Sequence, residues 1–219
     1  PMFPFDLICA NDPLVVHDLL AYDSSQGSLF YKEITNRANE RQKVLCLNNF
    51  HPIPHRVFTV DELSDCDLED KISWFLELME ILIQDDSFAR NFILDWLAFN
   101  IQYPGEKVTN AIILSGLQGT GKSTLAETIQ MILDENCKIM KAAEVNRRWN
   151  TFFVDSSLIF CEELRQAGEE GRRFSNDIKN LVTGGSLSTE VKHQDPMEIL
   201  NHVNFFFLTN YKDSMSIDE

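Results

Sequence analysis

The sequence has no C-x-x-C pair. Its five cysteines, Cys9, Cys46, Cys66, Cys137 and Cys161, are odd in number and scattered. That spacing excludes a zinc ribbon and a disulfide framework, and suits reduced thiols in a cytosol-like compartment. No run approaches the roughly 18 apolar residues of a membrane span. From Pro1 onward there is no basic stretch leading into an apolar one, so nothing directs secretion. The expected location is the cytoplasm, with no membrane partner. Internal repeats and low-complexity linkers are also lacking, and 219 residues suit one large domain or a domain with a smaller companion.

Positive charge is scarce as well. Lys and Arg number 19 against 34 Asp and Glu, a formal charge of −15 at pH 7. Residues 1–100 hold 17 acids against 7 Lys and Arg; residues 101–219 hold 17 against 12. The acidity is concentrated in the first part of the chain. It excludes a uniformly basic surface for coating nucleic acid but leaves room for a narrow basic channel.

What is present centres on Asn110–Leu133. Ala111, Ile112, Ile113 and Leu114 form a short apolar run that reads as a buried strand. Gly116, Leu117, Gln118, Gly119, Thr120, Gly121, Lys122 and Ser123 then fit G-x-x-x-x-G-K-[ST] without a mismatch, and Thr124 follows. A helical pattern comes next, with Leu125, Ile129, Ile132 and Leu133 on one face. Strand, glycine loop and helix are the parts of a phosphate cradle. Loop N–H groups converge on the anion and the helix N-terminus adds partial positive charge. Lys122 is placed to reach the β- and γ-phosphates and Ser123 to ligate Mg²⁺. The expected ligands are ATP and Mg²⁺.

Around this centre the chain reads as three parts. Residues 1–66 look extended and irregular, with short strands at Leu29–Tyr31 and Lys43–Leu47. His51 and His55 stand four apart, but two prolines forbid the helix that would make them a metal pair; an extended connector is expected. Asp61–Asp70 has six acids without the glycine of a calcium loop, and reads as the acidic lead-in to a helix. Residues 67–105 read as a helical hairpin suited to an oligomerisation collar. Its first helix carries Ile72, Phe75, Met79 and Leu82 on one stripe, with Leu76 and Ile83 beside it. The second starts near Ser87 as N-cap, carries Phe88, Phe92, Trp96 and Phe99 as core, and stops at Pro104-Gly105. Residues 106–219 form the nucleotide core, with further strands at Cys137–Ala142, Ser157–Cys161 and Asn204–Asn210. Polar and basic residues from Arg172 to Lys179 are expected to open a short helix, and a hairpin is expected within Thr183–His193.

Two of these strands end in chemistry. The Ser157–Cys161 strand runs directly into Glu162 and Glu163. Downstream of such a loop, one carboxylate holds Mg²⁺ and the other orients or deprotonates the attacking water. Glu162 is assigned the metal along with Ser123, and Glu163 is the candidate base. Asn210 ends the last strand. Ligands of parallel sheets gather at the carboxyl ends of strands, where its amide can bond the γ-phosphate or the attacking water.

The order GLQGTGKS, LIFCEE, TGGSLSTEVKH, NFFFLTN resembles superfamily 3 helicases, hexameric AAA+ ATPases of viruses, phages and plasmids. WLAFNIQYPGEKVTNAIILSGLQGTGKST is similar to their phage and plasmid primase-helicase branch, and the likeness spans about residues 90–212. It implies an α/β AAA+-like P-loop core with a central parallel sheet, preceded by a helical segment and an irregular N-terminal region. It implies phosphate and Mg²⁺ roles for Gly116, Gly119, Gly121, Lys122 and Ser123, an acidic motif at Glu162 and Glu163, and a polar sensor at Asn210. The implied partners are single-stranded DNA, gripped by Lys192 and His193 at a hairpin tip, and copies of the chain in a hexamer. The implied activity is that of an ATP-driven replicative helicase domain, in the host cytoplasm if viral. The family's arginine finger has no counterpart after Asn210; Arg165, Arg172 and Arg173 are weaker candidates. The chain therefore reads as a fragment cut short of the finger, with a primase or polymerase module upstream. A small-molecule kinase and a non-motor nucleotide-binding assembly module remain the alternative readings.

Overall fold

The computed structural model describes residues 20–26, 29–35, 41–53, 68–84, 86–145, 153–163, 177–189 and 197–211. Lys192, His193, Arg165, Arg172, Arg173, His55 and the acids at 61–67 lie outside them. Contacts divide the chain into Pro1–Phe50 and His51–Glu219. Among the described residues no helix is long and apolar enough to cross a membrane.

The first unit holds β1 (Leu20–Ala21), β2 (Leu29–Thr35) and β3 (Arg41–Asn48) in the order β1-β3-β2. β2 and β3 are antiparallel, from Leu29 opposite Leu47 to Thr35 opposite Arg41. This stretch is more regular than the sequence suggested: the two short runs lengthen into a full hairpin because each strand supplies the other's ladder bonds. Asn48 fastens the turn before β2, donating from Nδ2 to the carbonyls of Asp23 (2.8 Å) and Gln26 (3.0 Å).

In the second unit, α1 (Leu68–Ile83) and α2 (Ser87–Gln102) form the helical hairpin. Asp86, not Ser87, caps α2, its carboxylate accepting from the Ala89 N–H at 2.9 Å. Met79 is fully buried on α1, while Ile72 from the expected stripe is exposed. The aromatic stripe on α2 is corrected. Trp96 is buried, but Phe88 is 80% exposed, Phe92 44% and Phe99 38%. The face that packs inward carries Ile93, Trp96, Leu97 and Asn100.

The core sheet has the order β4-β9-β6-β5, all parallel, from β4 (Ile112–Ser115), β5 (Cys137–Lys141), β6 (Leu158–Glu162) and β9 (Asn204–Thr209). α3 (Lys122–Leu133) follows the glycine loop and α4 (Ala142–Val145) follows β5. Every residue of β9 is buried, as expected of a parallel strand covered on both faces. Its side chains alternate. Phe206 and Leu208 join Trp96, Leu125, Ile129, Leu133 and Phe160 in one core, while Phe205 and Phe207 join Phe153, Ile159, Ile178 and Val203 in the other. Phe206 stacks on Phe160 at 5.0 Å and meets Trp96 edge-on at 5.9 Å. The chain is thus an α/β protein with the P-loop NTPase fold: a central parallel sheet, a glycine loop between strand and helix, and helices on both faces.

Between β6 and β9, residues 177–183 are helical (α5). β7 (Ser186–Thr189) pairs antiparallel with β8 (Met197–Leu200). The hairpin's second arm therefore lies beyond the expected Thr183–His193, and the connecting residues 190–196 lie outside the described ones.

His202 sits at the base of this hairpin with Nδ1 3.2 Å from the Leu200 carbonyl. Burial, with a smaller contribution from the Lys107 charge, lowers its pKa from 6.5 to about 4. The unfolded chain therefore takes up the proton first as pH falls. This contribution is fully present above pH 6.5 and is lost between 6.5 and 4, amounting to up to about 3 kcal/mol. Urea unfolding of the wild type and His202→Gln at pH 7 and 4.5 should show a smaller loss in the variant. Equal losses would contradict a neutral, half-buried His202.

Candidate functional site

The three chemistry-bearing strand ends meet because β9, the last of the described strands, inserts between β4 and β6. β4 delivers the glycine loop, β6 delivers Glu162 and Glu163, and β9 delivers Thr209 and Asn210. Together they enclose a pocket of about 380 Å³ walled by Gln118, Gly119, Gly121, Lys122, Ser123, Thr124, Glu162, Glu163, Leu208, Thr209 and Asn210. Gly116, Leu117 and Thr120 form the scaffold of the loop rather than the wall.

Gly119 and Gly121 have φ of +80° and +99°, a left-handed backbone that side chains disfavour. A Cβ at Gly121 would fall 2.6 Å from Leu78 Cδ1 on α1, the end of a flexible side chain that would have to turn aside. α1 thus packs directly against the loop. Gly121 occupies the N-cap of α3 and contributes no side-chain cap, so the first-turn N–H groups are left to face the pocket. The Gly116 N–H donates to the Thr209 carbonyl at 3.1 Å and fastens the start of the loop to the end of β9.

Lys122 is only 8% exposed. Its ammonium donates to the carbonyls of Gly116 (2.8 Å) and Leu117 (2.7 Å), and lies 3.4 Å from Thr120 Oγ1. Burial lowers its pKa. Ser123 Oγ donates to Glu162 Oε1 at 2.6 Å, bringing a hydroxyl and a carboxylate together from opposite sides of the pocket floor. Glu163 has φ +58°, unusual for a residue with a side chain and worth on the order of 1 kcal/mol of strain. That conformation turns the chain at the pocket wall, where Lys141 Nζ pairs with Glu163 Oε1 at 3.2 Å.

The donor set fits a hard divalent cation. Ser123 and Glu162 offer two oxygens, and among the described residues no trio of His, Cys, Asp or Glu converges to hold an ion without help. Mg²⁺ commonly takes one or two protein oxygens and fills its remaining positions with water and phosphate oxygens.

The structure therefore gathers Lys122, Ser123, Glu162, Glu163 and Asn210 in one pocket. Three contributors were missed from the sequence. Lys141 is opposite Glu162 in the parallel register, and a lysine closing the strand beside the acidic one was the available signal. Thr209 acts through its backbone carbonyl, which no side-chain pattern reveals. Leu78 belongs to an ordinary apolar stripe and carried no signal.

A family model described as "Family of unknown function (DUF5906)" matches residues 114–219, the part running from β4 through the loop, acidic strand and β9. No curated protein matches the sequence. Among solved structures, the apo NrS-1 C terminal region (305-718) aligns over 92% of this chain with a TM-score of 0.71 and 21% identity. Another apo structure of that region, the A form, gives 0.68 at 21% identity and 92% coverage. The chain spans 45% of the length of each. The likeness establishes a shared fold. A JCV helicase aligns over 68% of this chain at 15% identity with a TM-score of 0.44, too low to bear on the fold.

Gly121→Ala introduces both strain and overlap. It should lower stability by about 1–2 kcal/mol and weaken binding of an ATP analogue. Adding Leu78→Ala removes the overlap but not the strain, so unfolding and binding measurements should show partial recovery. Full recovery would mean that overlap alone requires the glycine.

Proposed function

We propose that the chain is the ATP-hydrolysing motor domain of a replicative DNA helicase of the primase-helicase type, working on single-stranded DNA as a ring. The observation that carries this reading is the convergence, in one pocket, of an uncapped helix N-terminus, a buried lysine, the Ser123–Glu162 oxygen pair, a second carboxylate and a strand-end amide. A phosphate chain lying along the glycine loop meets N–H groups and the Lys122 ammonium. Ser123 and Glu162 would hold Mg²⁺, which supplies charge neutralisation between phosphates when bound. Glu163 takes a proton from the attacking water while Asn210 bonds that water or the γ-phosphate. Lys141 holds the Glu163 carboxylate at the wall. Each group acts by position and charge, which is what phosphoryl transfer requires.

The remaining parts of the reading rest on other features. Lys192 and His193 fall in residues 190–196, which join β7 to β8, and are assigned to the DNA phosphates. Assembly is assigned to α2. At about 100° per residue, Phe88, Phe92, Phe99 and Tyr103 lie within roughly 60° of one another, and all four are exposed. So large an apolar face in water is suited to contact between subunits.

Turnover assays separate the roles. Lys122→Ala should lower ATP hydrolysis at least about 10²-fold. Glu163→Gln should keep nucleotide affinity and lose turnover by about 10²–10⁴-fold, whereas Glu162→Gln should weaken the Mg²⁺-dependent part of binding. If Glu162→Gln alone stops turnover with Mg²⁺ affinity intact, the two roles are reversed. Single-stranded DNA should stimulate the wild type; phosphate transfer to a nucleoside without that stimulation would point instead to a kinase.

Lys192→Ala should weaken single-stranded DNA binding similarly for all base sequences and reduce the slope of log affinity against log salt by about 1. Oligonucleotide titrations at several salt concentrations test this. Wild-type affinity and slope in the variant would place the DNA path elsewhere.

A further inference from the structure

At the end of the sheet opposite the pocket, β4 and β9 begin in a polar network that the proposed chemistry does not use. Asn204, the first residue of β9, is buried. Its Nδ2 donates to Asn100 Oδ1 on α2 (2.8 Å) and to the Glu106 carbonyl (2.8 Å), and its Oδ1 accepts from the Val108 N–H (2.8 Å). Lys107, between those two residues in the segment that leads into β4, donates to the carbonyls of Val203 and Leu181, the latter at 3.2 Å, and lies over the Phe205 ring at 5.4 Å. Asn201, also buried, donates from Nδ2 to the same Leu181 carbonyl (2.7 Å) and to that of Gly184 (2.8 Å). Its backbone N–H closes the base of the β7–β8 hairpin on the Gly185 carbonyl at 3.0 Å.

The Leu181 carbonyl is thus a shared vertex. One side leads through Asn201 to the hairpin, and the other through Lys107 and Asn204 to the starts of β4 and β9. Both strands end at the pocket, and β9 covers the distance in six residues, roughly 17 Å at about 3.3 Å per residue. Burying polar groups here costs stability unless each is satisfied, whereas apolar side chains would fill the same space without that requirement. Hydrogen bonds differ from apolar contacts in being directional, so they fix the register of the parts they join.

We propose that Lys107, Asn201 and Asn204 are positioning residues that bracket the β7–β8 hairpin to the starts of β4 and β9, so that occupancy of the pocket at the far ends of these strands is transmitted to the hairpin. The proposal rests on the pocket's being a nucleotide site, and it names how that site would communicate with the segment carrying Lys192 and His193.

Hydrogen exchange of the whole chain, with and without Mg²⁺ and a non-hydrolysable ATP analogue, tests it. In the wild type the analogue should slow exchange in residues 116–123 and also change exchange in the hairpin arms 186–189 and 197–200. In Lys107→Met, which keeps the stem over Phe205 and removes the donors, and in Asn201→Ala, protection of the loop should persist. The change in the arms should fall below about a fifth of its wild-type size. Lys107→Arg, which restores a cation with donors, should retain it, a distinction that a merely space-filling lysine would not produce. Protection of the loop with no change in the wild-type arms would overturn the bracket while leaving the nucleotide reading intact, and it needs no variant to fold. A wild-type response in both donor-deleted variants would overturn it equally. No protection of the loop would overturn the nucleotide reading and the bracket with it.

Discussion

The backbone hydrogen bond from Gly116 to the Thr209 carbonyl joins the first residue of the glycine loop to the last residue of β9. It extends the β4–β9 ladder, and the site depends on β9's lying between β4 and β6. With β9 in place, the Ser123 hydroxyl reaches Glu162 across the pocket floor and Asn210 stands at its wall. β9 holds its position through both faces at once, with Phe206 and Leu208 in one core and Phe205 and Phe207 in the other. Burying such side chains is worth about 1.5–3 kcal/mol each, so the strand that completes the site is firmly anchored.

The strands and the loop were legible because their signals are local. Runs of apolar residues bounded by polar ones mark doubly covered strands, and G-x-x-x-x-G-K-S needs only its own spacing. α2 was not legible in the same way. Helical periodicity shows that a face is apolar but not which neighbour covers it. The face that is buried contains Asn100, a residue that would ordinarily signal exposure. Asn100 can be buried because Asn204, distant in sequence, donates to it at 2.8 Å. The stripe of Phe88, Phe92 and Phe99 has the same spacing as a core stripe and faces outward.

A similar division runs through the site. Glu162, Glu163 and Asn210 could be read as strand ends because the chemistry of parallel sheets collects there. The Lys141–Glu163 pair depends on β5 and β6 lying side by side in register, and the Leu78–Gly121 approach depends on the packing of α1. Both are tertiary facts, and both bear on groups that the sequence had already singled out. The firm demand on Gly121 is its left-handed turn, written in the loop; the Leu78 methyl that a Cβ would meet comes from a helix more than forty residues earlier and can turn aside.

On the proposed reading, one pocket binds a nucleoside triphosphate together with a divalent cation held by Ser123 and Glu162. Calorimetric titration of the chain with a non-hydrolysable ATP analogue, in the presence and absence of Mg²⁺, tests it most directly. One analogue should bind per chain, markedly more tightly with Mg²⁺ than without. Absence of binding, or binding indifferent to Mg²⁺, would contradict it.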